Sequence, residues 1–165
     1  MKKEPRVRHR IVGLSIGLIA FFLAAAAVIA DMHGAGDLPK DFRSWTHTKS
    51  MVIPDKSHGL YGFHNIYAND KALPTLQKGG TYVDGSAFVV SFYEVVTDGG
   101  TTVAGKKIQD VLMIKNQKAA KTGGWFYAAF GPDGKPKTID PVKACYECHE
   151  QGAKKTDYVF STYVD

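Results

Sequence analysis

The chain has 165 residues, 44% of them hydrophobic, which suits one domain with a real core. Its formal net charge of +5 is concentrated at the start, where Lys2, Lys3, Arg6, Arg8 and Arg10 face the single acid Glu4. From residue 31 onward 16 bases stand against 15 acids, so no basic stripe remains to bind nucleic acid.

The basic head "MKKEPRVRHR" is followed by a run without charge from Ile11 to Ala30. That pattern reads as an export signal cleaved before Asp31, or as an uncleaved membrane anchor of bilayer-spanning length. In both cases the positive flank keeps the N-terminus cytoplasmic, and the rest faces the periplasm or the outside. Residues 1–30 are thus a signal peptide or anchor, 31–40 a flexible lead-in, and 41–165 the functional domain.

"DFRSWTHTKSM" predicts a short amphipathic helix, with Asp41 as cap and Phe42 and Trp45 three apart. "GLYGFHNIYA" (residues 59–68) reads as a strand, and "NDKALPTLQKGG" as a short helix or loop limited by Pro74. "SAFVVSFYEVV" (residues 86–96) is the strongest strand, with Phe88, Val90 and Phe92 on one face and Val89, Ser91 and Tyr93 on the other. "IQDVLMIKN" and "WFYAAF" supply two more strands. Short turns between them predict an α+β fold dominated by a meandering antiparallel sheet, with a few short helices and a C-terminal helix from about Pro141.

That C-terminal segment, "KACYECHEQGAKKTDYVF", holds the only two cysteines, Cys145 and Cys148, with His149 directly after. Cys-x-x-Cys-His is the attachment signature of c-type haem: two thioethers hold one haem, and the histidine gives its Nε2 to the iron. A thioredoxin-like redox pair would sit early, at a helix N-terminus in a βαβ pattern. A structural zinc site needs two further ligands at metal spacing, and His47, His58 and His64 are scattered. A plain disulfide loop gives the histidine no role.

A haem motif after a run of strands, with "DFRSW", "IYANDKAL", "YVDGSAFVVSFYEVV", "VLMIKN...GGWFYAAF" and "CYECHEQGAKKTDYVFSTY" in this order, resembles the cytochrome P-460 and cytochrome c′-beta family. The resemblance covers nearly all of residues 41–163. It implies a β-rich homodimer with one haem per subunit, His149 as proximal ligand and an open distal position. Members resembling cytochrome P-460 oxidise hydroxylamine and carry a lysine cross-linked to the haem; the c′-beta proteins lack the cross-link and bind nitric oxide in an apolar pocket. The cross-linking lysine falls five residues after the glycine of the Asp-Gly turn, which here is Val90. The distal acid of the enzymes aligns with Val111, one residue from Asp110. The resemblance therefore implies a gas pocket for nitric oxide or a similar small ligand, lined by Val90, Phe88, Phe92, Phe63, Val111 and Met113.

Each of these residues has a plainer reading. Periodicity alone makes Phe88, Val90 and Phe92 sheet core, and Phe63 an ordinary strand residue. Met113, and less so Met51, His58 or His64, would give a six-coordinate electron carrier if it ligated the iron. Lys115 or Lys78 over the haem would restore the hydroxylamine-oxidising alternative. Glu94 reads as a solvated residue at the end of its strand, or as an acid over the haem; Lys155 and Asp157 read as surface residues near the chain end, or as contacts to a haem propionate or the proximal side.

Overall fold

The computed structural model describes residues 37–163. Residues 1–30, read above as signal or anchor, lie outside the described residues, as does most of the lead-in. Among the described residues no helix is long and apolar enough to cross a membrane.

Six strands follow one another in a single antiparallel sheet: β1 (Thr46–Ile53), β2 (Gly62–Ala68), β3 (Ala87–Asp98), β4 (Thr101–Lys115), β5 (Trp125–Phe130) and β6 (Pro136–Lys137), in spatial order β1-β2-β3-β4-β5-β6. Two short helices complete the fold. Helix α1 (Leu73–Lys78) accepts Pro74 in its first turn, where a missing N–H costs little. Helix α2 (Glu147–Ala153) continues directly from a wider π-helical turn at Val142–Tyr146. The β-dominated α+β architecture read from the sequence is the one observed.

Strand formation follows from alternation and from turn chemistry. In β3, Phe88 and Phe92 are buried on one face, while Val89 and Ser91 are buried on the other, so the central strand is covered on both sides. β3 turns into β4 through Gly99 and Gly100, both at positive φ, the backbone a tight two-residue hairpin loop requires. Cross-strand register then sets the rows. Ile66, Val90, Val111 and Ala129 stand opposite one another, as do Ala68, Phe88, Met113 and Tyr127.

Two apolar clusters flank the sheet. Phe88, Met113, Trp125 and Tyr127 join Ile66, Leu76, Tyr82 and Val159 on one face, with Val90, Cys145 and Tyr158 packed against them. Phe42, Val89, Leu112 and Phe130 form the other cluster, with Trp45 and Tyr67 at its edge. Each large side chain buried here contributes about 1.5–3 kcal/mol.

The helix predicted over residues 41–51 is not formed. Phe42–Ser44 makes a single tight turn, Asp41 makes no side-chain cap, and the chain then runs out as β1. The β-branched residues Thr46, Thr48, Val52 and Ile53 favour extension, and pairing with β2 satisfies the backbone that a short helix would leave open. Phe42 and Trp45 still meet the same cluster, through a tight turn instead of a helix face.

Candidate haem site

The C-terminal helix lies against the Phe88–Met113–Tyr127 face. Cys145 falls in the π-helical turn and Cys148 and His149 in α2, so the three project within about one turn of each other. Cys145 packs against the apolar cluster, Cys148 is exposed, and both thiols are free. Burial pushes the Cys145 thiol up to about 11. A redox-active thiol needs the opposite shift. Among the described residues no three His, Cys, Asp or Glu side chains gather as a bare metal site, so a zinc centre has no ligand set there.

His149 is the most constrained member. Its ring lies 5.2 Å from that of Tyr127 and 5.0 Å from that of Phe160. Nδ1 is 2.6 Å from the Tyr158 carbonyl oxygen, which can only accept, so Nδ1 carries the proton and donates. Nε2 is left with its lone pair. Burial, partly opposed by this hydrogen bond, lowers the histidine's pKa and keeps the ring neutral. A neutral imidazole with its second nitrogen fixed by a carbonyl is the state an iron ligand needs.

Across from the helix, the sheet presents Phe88, Val90, Val111 and Met113. Phe88 and Met113 are buried, whereas Val90 and Val111, central in the sheet, are only partly covered. Phe92 shares this face, its ring 4.2 Å from the buried His64. Of the pocket residues expected from the sequence, Phe63 is the exception. It pairs with Tyr93, an odd three residues beyond Val90, and therefore points to the opposite side of the sheet. Phe63 is not a wall of the pocket face.

Register also separates Val111 from Asp110. Val111 pairs with Val90, while Asp110 pairs with Ser91 on the far face. There the Asp110 carboxylate is fully buried, accepts the Ser91 hydroxyl at 2.6 Å and pairs with Lys107. No distal acid comes from this position. Glu94 is exposed at the sheet's margin, as are His47, His58 and Met51. Lys78 is exposed at the end of α1, and the buried Lys115 ammonium is held by both carboxylate oxygens of Asp157, at 2.6 and 2.8 Å. Lys115 is therefore not free over the face. Lys155 is exposed as expected, but Asp157 is not a surface residue: its pairing with Lys115 is the main feature that sequence reading missed.

The residues suit a largely apolar group that carries some polar contacts. His64 Nε2, Trp125 Nε1 and Tyr127 Oη are buried on this side without a partner among the described residues, the condition expected where a bound group supplies contacts or acceptors. A free imidazole nitrogen and two thiols from one helix complete the donor set of a haem.

Fold and donor set together define a β-rich haem protein. The family model described as Cytochrome P460 matches residues 39–161, and the chain belongs to that family. It is a haem cytochrome of this family. No curated protein matches the chain.

Proposed function

We propose that this is an exported c-type cytochrome of the c′-beta kind, which binds nitric oxide or a similar small ligand on the sheet side of its haem. Cys145 and Cys148 hold one haem through two thioethers, and His149 Nε2 ligates its iron. So bound, the haem supplies an open coordination position and one-electron chemistry. The residues of the chain decide what reaches that position. Val90, Phe88, Val111 and Met113 present hydrocarbon or thioether, exclude water and offer no hydrogen-bond donor to an anion. The observation that carries this reading is the row Ile66–Val90–Val111–Ala129, in which no lysine or carboxylate stands on the site face.

Hydroxylamine oxidation requires groups that take up protons, and none is placed on that row. Met113 keeps an electron-carrier reading open, because it stands on the same face one row from Val90. Its tight packing against Phe88 and Tyr127 supports a core role instead. The basic head and apolar run of residues 1–30 support export.

Optical titration tests the ligand preference. Nitric oxide added to the reduced protein is expected to bind tightly, and cyanide added to the oxidised protein weakly. Tight cyanide binding with slow or absent nitric oxide binding would contradict an apolar open pocket.

A further inference from the structure

Lys115 and Asp157 form an ion pair with side chains only 5% and 12% exposed. Such a pair is not explained by stability alone, since hydrophobic residues of similar volume generally hold a core as well. Its surroundings show what else it holds. Asp157 and Tyr158 both adopt positive φ, 49° and 66°, a conformation that costs about 1–3 kcal/mol for a residue other than glycine. Asp157 Oδ2 also accepts the Tyr82 N–H at 2.9 Å, and the Lys115 ammonium lies 5.0 Å from the centre of the Trp125 ring. Tyr158 N–H donates to the Ala153 carbonyl at 2.7 Å, tying the turn to the end of α2. Gly123 stands where any Cβ would fall 2.5 Å from the Tyr158 ring, so the turn is tightly enclosed. The carbonyl of Tyr158 is the one that accepts His149 Nδ1.

We infer that the buried Lys115–Asp157 pair is a positioning device for the proximal ligand, holding the strained Asp157–Tyr158 turn so that its carbonyl fixes the tautomer and orientation of His149. The inference rests on the haem reading above and deepens it. It also joins the two sides of the site. Lys115 ends the strand that carries Val111 and Met113, so one strand shapes the ligand pocket and anchors the partner of the iron ligand. A strong Nδ1–H···O=C bond makes His149 a better electron donor, which favours oxidised iron and stiffens the iron–histidine bond.

The test uses the full-length, haem-loaded protein and its Asp157→Asn, Lys115→Met and Lys115→Arg variants. Asparagine tolerates positive φ and still accepts the Tyr82 N–H, so Asp157→Asn keeps the turn available even if Lys115→Met fails to fold. Asp157→Asn and Lys115→Met are expected to lower the iron–histidine stretching frequency in resonance Raman spectra and to raise the midpoint potential. Lys115→Arg, which keeps the charge, is expected to stay near the wild-type values. Haem-loaded Asp157→Asn with unchanged frequency and potential, and only a lower melting temperature, would reduce the pair to ordinary structure and overturn this inference alone. Wild-type protein that acquires no haem would overturn the site reading and this inference with it.

Discussion

Val90 stands where the resemblance implies a cross-linking lysine in the hydroxylamine-oxidising branch, and its hydrocarbon side chain supplies no nucleophile at that position. Replacing it by lysine puts an amine on an apolar surface, where burial favours the neutral, coordinating form. Val90→Lys is therefore expected to weaken nitric oxide binding about tenfold or more, a loss of at least about 1.4 kcal/mol. Optical titration of the reduced protein against wild type measures it, and unchanged affinity would remove Val90 from the pocket. His64, on the same face, gives a second prediction. Burial lowers its pKa below the ordinary 6.5. Because the unfolded chain then binds the proton more readily, the neutral buried ring contributes stability that is complete above about pH 6.5 and is lost as pH falls toward the folded value. Urea unfolding midpoints at neutral and mildly acidic pH are expected to differ less in His64→Gln than in wild type, and an equal difference would contradict the assignment.

At the level of elements, the strands most legible in the sequence are β3 and β5, because both are apolar runs rich in aromatic or β-branched residues and turn residues bracket them. β1 is hidden in the sequence: as an edge strand it has a mixed burial pattern, and the aromatic pair Phe42 and Trp45 imitates helical spacing. β4 was found short, since its first residues pair only with the end of β3 and carry no apolar stripe. Cys145, Cys148 and His149 were legible because their spacing is local. The Lys115–Asp157 pair was not, because its members lie 42 residues apart and neither interrupts a local pattern. Register makes a prediction of its own. Asp110 lies beside Val111 in sequence but on the far face, so Asp110→Ala is expected to destabilise the fold by about 1–3 kcal/mol through the orphaned Ser91 and Lys107. Nitric oxide affinity is expected to stay at the wild-type value, and a clear change in it would place Asp110 in the site after all.

For the whole molecule, the ends of β3 and β4 run past their neighbours. Val95, Val96 and Thr97 pair only with Ala104, Val103 and Thr102, and Val96 and Val103 are exposed. A bare two-stranded ribbon is marginal in water, which supports a second copy of the chain covering it. Sedimentation of the protein is expected to give a dimer, and Val96→Glu together with Val103→Lys is expected to shift it to monomer with the haem spectrum retained. A wild-type monomer at micromolar concentration would contradict that role for the ribbon.

The proposed haem, held by Cys145, Cys148 and His149, would have its sheet side left open by a row of apolar residues. The visible spectrum of the dithionite-reduced protein, before and after addition of nitric oxide, tests it most directly. Broad high-spin bands that change when the gas is added are expected. Sharp low-spin bands indifferent to nitric oxide would contradict it and make Met113 the first candidate for a sixth ligand. A strongly red-shifted main band would contradict it differently, by revealing a cross-linked haem.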